Sequence, residues 1–68
     1  MEYSPGIYIH DSKDKRIFIV EYKYKKFKLI SVLDLVDKKE YYITSKGMKD
    51  IEVVTKEQAE LLIVTYAI

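Results

Sequence analysis

Few residues in this chain are of types that carry chemistry. His10 is the single histidine, and Asp11 and Ser12 follow it, which together supply the residue types of a hydrolytic triad. Adjacent strand residues point in different directions, however, and a triad is defined by its geometry. The spacing of His10, Asp11 and Asp14 matches no metal-site pattern, and cysteine is absent. We therefore predict a non-enzymatic protein without catalytic, cofactor-binding or metal-binding residues.

Lysine is concentrated in one part of the sequence, where it suits phosphate binding. Residues 13–28 hold seven basic and two acidic residues, a net charge of +5 in a chain whose overall charge is +1. Tyrosines interleave with these lysines and are able to stack on bases. The candidate nucleic-acid residues are Lys23, Lys25, Lys26, Lys28 and Tyr24. The alternative is a solvated loop that protects a sheet edge, and the low overall charge argues against strong nucleic-acid binding.

The lysines belong to a long apolar and aromatic stretch, Arg16 to Leu35, which we interpret as a β-hairpin with Lys25 and Lys26 at its tip. A two-residue loop there predicts facing pairs Tyr24 with Phe27, Tyr22 with Leu29, Val20 with Ser31, Phe18 with Leu33, and Lys23 with Lys28. Facing lysines repel each other, and an anionic partner relieves that repulsion. A slip of one residue exchanges the two faces of the hairpin.

The whole chain is predicted to be one small domain over residues 1–68, because its length allows a single core. Strands are expected at 6–10, 16–24, 27–36, 40–44 and 51–54, and a capping box at 55–58 predicts that a helix begins there. The expected fold is mostly β with one short C-terminal helix, built as a small curled five-stranded antiparallel sheet or a Src-homology-3-like barrel. The predicted core comprises Ile7, Ile9, Phe18, Val20, Tyr22, Leu29, Leu33, Tyr42, Val53, Leu62 and Ile63.

The C-terminal residues 61–68 are unusually apolar. One helical stripe is predicted to cover the sheet, formed by Ala59, Leu62, Ile63 and Tyr66. Leu61, Val64 and Ile68 then project from the opposite side, where a monomer's surface helix is normally polar. Either this second side binds another subunit or a partner protein, or residues 63–68 form a last strand. The first alternative makes the chain a small interaction module, most simply a homodimer.

Two resemblances accompany this interpretation. The segment 38–51, KKEYYITSKGMKDI, resembles the wing of winged-helix DNA-binding proteins, which often contain Y-x-[IL]-T-x-K-G, and this implies a helix over LISVLDLVDKKE. The basic hairpin and terminal helix are similar, in architecture and composition alone, to the small chromatin barrels of archaea. Both resemblances imply DNA binding as the alternative function.

The expected location is the cytoplasm. The first residues show no basic region followed by an apolar run, and no stretch is long enough to span a membrane. Lysine, glutamate and isoleucine are plentiful, asparagine is absent and glutamine occurs once, as in heat-adapted proteins or AT-rich genomes. A viral protein acting in the host cytoplasm has the same features.

Overall fold

The computed structural model describes residues 4–24, 29–44 and 51–68. These residues form five antiparallel strands followed by one helix, and the expected fold class is confirmed. In chain order the elements are β1 (Tyr8–Asp11), β2 (Arg16–Tyr24), β3 (Leu29–Asp34), β4 (Glu40–Thr44), β5 (Ile51–Val54) and α1 (Lys56–Tyr66). The strands coincide with the runs of β-branched and aromatic residues, which suit a pleated sheet.

The strand order is β4-β3-β2-β1-β5, so β5 returns to pair with β1 while β4 and β5 remain edge strands. The sheet is not closed into a barrel. Its core face carries a cluster of buried residues, and side chains from both edge strands pack against that cluster. The cluster consists of Ile9, Phe18, Val20, Ile30 and Val32, with Ile7, Tyr41, Ile43 and Ile51 around it. Both edges of the sheet therefore contribute to one apolar core.

The predicted hairpin register is wrong, because β2 carries a bulge at Glu21. Val20 pairs with Val32, whereas Tyr22 pairs with Ser31, and this change in register leaves one extra residue on β2. A bulge inserts one residue into one strand of an antiparallel pair and shifts the alternation of side chains beyond it. Phe18 and Val20 consequently share the core face with Val32 rather than with Leu33.

Burial follows this register. Ile9, Phe18 and Val20 are buried as predicted, and Ile7, Leu29, Leu33, Leu62 and Ile63 are half-buried. Tyr22, Tyr42 and Val53 are exposed, so their assignment to the core is wrong. Ile17, Ile30 and Val32 are buried instead. The pairing of strands, rather than residue type, decides which of these apolar side chains lose contact with water.

The last element is a helix as far as Tyr66, which excludes the alternative of a terminal strand over residues 63–68. The predicted capping box is present: the Thr55 hydroxyl accepts from the Gln58 amide, and the Gln58 side chain accepts from the Thr55 amide. Each bond satisfies a backbone donor that the first helical turn leaves free. The helix packs on β1 and β2, across the side of the sheet opposite the core face, which we call the helix face.

The winged-helix resemblance is wrong for this fold. It requires a helix over residues 29–40, and the structure places β3 and a turn there. The turn is tight, since Lys38 has a φ of 64° and its amide donates to the Asp34 carbonyl. Across the described parts of the chain, no helix combines the length and apolar character needed to cross a membrane.

Candidate functional site

Three exposed tyrosines form a surface at one end of the helix face. Tyr22, Tyr24 and Tyr42 are 56%, 36% and 61% exposed. The ring centroids of Tyr22 and Tyr24 are 4.6 Å apart, and those of Tyr24 and Tyr42 are 6.3 Å apart. The planes are inclined to each other by 60° and 52°, so ring faces and edges alternate across the surface. We call these three residues the tyrosine surface.

The strand pairing explains why these rings meet. Tyr22, Ser31 and Tyr42 are directly opposite one another on β2, β3 and β4. Ser31 is buried between its two larger neighbours, and Tyr24 lies one step further along the same face of β2. A small residue flanked by two large ones leaves the flanking rings standing above the sheet. The bulge at Glu21 is what turns Tyr22 and Tyr24 away from the core face.

The structure describes one of the four candidate lysines. Lys23 is half-buried on β2 and pairs with Ile30, so its side chain leaves the sheet on the core side, opposite Tyr24. The expectation that Lys23 faces Lys28 does not hold in this register, since Ile30 occupies the facing position. Lys25, Lys26 and Lys28 lie outside the described residues. The sequence alone places these three lysines between the end of β2 and the start of β3.

The second candidate surface is the outer side of α1. Ala59 is fully buried against the sheet, and Leu62, Ile63 and Tyr66 are half-buried beside it, as the predicted stripe requires. On the opposite side Leu61 and Val64 are 71% and 63% exposed, and Ile68 is fully exposed. We call these last three residues the helix ridge. The helix therefore carries apolar side chains on two opposite sides, and the sheet covers only the side that contains Ala59.

His10 lies inside the packed structure. It is buried under the end of α1, where its Nε2 lies 2.6 Å from the Tyr66 hydroxyl and its Nδ1 lies 3.3 Å from Glu52 Oε1. The tautomer that carries the proton on Nδ1 satisfies both contacts, because Nδ1 then donates to Glu52 while Nε2 accepts from Tyr66. The three side chains tie the last helical turn to β1 and β5.

A second polar cluster holds the turn between β3 and β4. Asp34 is buried, accepts from Arg16 Nη1 at 2.9 Å, and accepts from the amides of Val36 and Asp37. The Tyr41 hydroxyl donates to Asp37 at 2.6 Å, and this bond lowers the pKa of Asp37 below its ordinary value, with the Lys39 amide and Arg16 acting in the same direction. Every oxygen of Asp34 thus accepts a hydrogen bond, which is what a buried carboxylate requires.

Each polar cluster is held together by its own hydrogen bonds, and both clusters lie at the end of the sheet away from the tyrosine surface. Within residues 4–24, 29–44 and 51–68, no three histidine, aspartate or glutamate side chains are grouped so as to hold a metal ion. Comparison with protein-family models, curated proteins and solved structures gave no match.

Proposed function

We propose that this chain is a small non-enzymatic interaction module that binds a second copy of itself through the helix ridge. The observation that carries the proposal is the exposure of Leu61 and Val64 on a helix whose other side is already packed against the sheet. Exposed apolar patches rimmed by polar residues mark interaction sites. Ile68, two residues beyond the end of α1, adds a further exposed apolar side chain.

A second copy is the simplest partner for the ridge, because a twofold axis packs the same apolar side chains of the two copies against each other. The ridge is small, so we expect a weak dimer rather than an obligate one.

Sedimentation equilibrium over a concentration series from micromolar to millimolar tests this proposal. We expect the average mass to rise from monomer towards dimer in the wild type and to stay monomeric in Val64→Lys, which places a charge in the middle of the ridge. Thr44→Lys is the matched control, because it adds the same charge at an exposed position of β4 and leaves the ridge intact. A wild type that remains monomeric throughout would remove the proposal.

A second candidate function is sequence-independent nucleic-acid binding through Lys23, Lys25, Lys26, Lys28 and Tyr24. The observation that favours it is the exposure of Tyr22 and Tyr24 directly before the lysine-rich connection between β2 and β3. The run YKYKKFK over residues 22–28 contains four lysines and no acidic residue, and Lys23 is the one lysine whose side chain is known to lie on the face opposite Tyr24. Positive charge close to exposed aromatic rings is the combination that binds phosphates and bases together.

Anisotropy titrations of labelled DNA and RNA at several salt concentrations test this second function. Affinity that falls steeply with salt indicates phosphate contacts, and replacing the four lysines by glutamine should flatten that dependence. As a control, replacing Lys38, Lys39 and Lys56 by glutamine removes charge elsewhere and should change the affinity much less. Equal affinity of the wild type and the variant without the four lysines excludes the second function.

A further inference from the structure

We infer that the tyrosine surface stacks on unpaired bases, so that any nucleic acid bound by this chain is bound as a single strand. The inference rests on the second function proposed above. It adds a binding site, formed by Tyr22, Tyr24 and Tyr42, and it names the class of ligand as single-stranded nucleic acid. Tyr42 comes from β4 and is remote in sequence from the lysines, so only the folded sheet reveals that it belongs to this site.

The geometry suits bases better than a duplex. Tyr22 and Tyr24 stand on β2 and Tyr42 on β4, on either side of β3, with Tyr24 between the other two rings and centroid separations of 4.6 and 6.3 Å. A sheet that presents two or three exposed aromatic rings is how single-stranded bases are commonly bound, with successive bases stacked on successive rings. Bases inside a duplex are already stacked on one another and present no free face. The surface therefore selects for unpaired strands.

The surrounding charge favours a polyanion as the occupant of this surface. The sequence places Lys25, Lys26 and Lys28 immediately after Tyr24, and these three lysines outnumber the two exposed acids closest in sequence to the rings, Glu21 and Glu40. Aromatic grooves also bind proline-rich peptides, but such peptides need no dense positive charge beside the rings. A nucleic-acid strand uses both features, since its phosphates meet the lysines while its bases meet the rings.

The inference is tested by two kinds of substitution, one that removes the aromatic ring but keeps an apolar side chain and one that keeps the ring. Leucine keeps an apolar side chain at Tyr24 or Tyr42 but removes the ring, whereas phenylalanine keeps the ring and removes the hydroxyl. Binding is followed by anisotropy with labelled oligothymidylate and with the same strand annealed to oligoadenylate. We expect the single strand to bind more tightly than the duplex. Each Tyr→Leu change should weaken the single strand about 10-fold, and each Tyr→Phe change should leave it within about 2-fold.

The outcomes of this experiment distinguish the inference from the function on which it rests. Loss of affinity in the lysine variant, with no loss in Tyr24→Leu or Tyr42→Leu, overturns stacking but leaves phosphate binding in place. Equal affinity for single strand and duplex also overturns stacking. Failure to bind either form at low salt removes both proposals, and capture of a proline-rich peptide in place of the strand does the same. Retention of the wild-type circular dichroism spectrum in each variant shows that the fold is intact.

Discussion

The helix face of the sheet has two ends, and they differ in what covers them. At the end that contains His10 and Ile17, which we call the helix end, α1 lies on the sheet and His10 has partners on β5 and α1. At the other end, the tyrosine end, Tyr22, Tyr24 and Tyr42 stand exposed. The same face is thus a core at one end and a surface at the other. The tyrosine end, where large aromatic side chains are left uncovered, is the end at which we propose binding.

The clearest test of this difference is to remove a similar side-chain volume at each end and to compare the losses of stability. Ile17 is fully buried on the helix face, so Ile17→Ala should lower the free energy of unfolding by about 3 kcal/mol. Tyr42→Thr, which keeps a β-branched residue on β4, should change it by less than about 1 kcal/mol because Tyr42 is mostly exposed. Urea denaturation followed by circular dichroism measures both values.

A small domain has a narrow stability margin, so Ile17→Ala alone is a demanding test. Ile17→Val removes one methylene and should cost about 1 kcal/mol, which keeps the variant folded. A loss of about 3 kcal/mol or more in Tyr42→Thr would contradict the distinction between the two ends.

The contact between helix and sheet provides the next largest effect. Tyr66→Phe removes the hydroxyl that lies 2.6 Å from His10 Nε2 while keeping the ring in place. We expect a loss of about 1 kcal/mol, because a partly buried hydrogen bond is removed and the imidazole nitrogen loses its partner. Amide hydrogen exchange of the last helical turn should speed up in this variant. Tyr24→Phe, at the tyrosine end, serves as the control and should leave both properties unchanged.

The turn between β3 and β4 at the helix end offers a stabilising change. Lys38 has a φ of 64°, in the left-handed region where a side chain costs energy and glycine does not. Lys38→Gly should raise the free energy of unfolding by about 0.5 kcal/mol, since relief of strain exceeds the added freedom of the unfolded chain. Thermal melting measures the change. Lys39→Gly, one residue further along, lacks the positive φ and should be neutral or destabilising.

The smallest effect is a pH dependence at the same turn. The Tyr41 hydroxyl and the neighbouring donors lower the pKa of Asp37 in the folded protein below its ordinary value of 3.8. The stability that this carboxylate contributes is therefore complete above its unfolded pKa and is lost as the pH falls through the lower, folded value. Tyr41→Phe should reduce this acid dependence while keeping the ring against the core. Urea midpoints of wild type and variant, at neutral and acidic pH, provide the measurement.

Local signals in the sequence predicted the elements well. The capping box fixed the start of α1, and the runs at 40–44 and 51–54 matched β4 and β5, because these features depend on residues close together in the chain. The bulge at Glu21 left no such signal, since any exposed residue can occupy a bulge. The register of β2 and β3 and the exposure of Tyr22 both follow from this bulge, so neither was predicted. The burial of His10 depends on Tyr66, which lies 56 residues away, so only the packed helix reveals it.

A nuclear magnetic resonance titration tests whether the tyrosine end of the sheet binds a nucleic-acid strand. Oligothymidylate would be added to isotopically labelled protein while amide and aromatic resonances are followed. We predict that resonances of Tyr22, Tyr24 and Tyr42 shift together, while those of His10 and Tyr66 stay in place. Shifts centred on His10 and Tyr66, or no shifts at low salt, would contradict it.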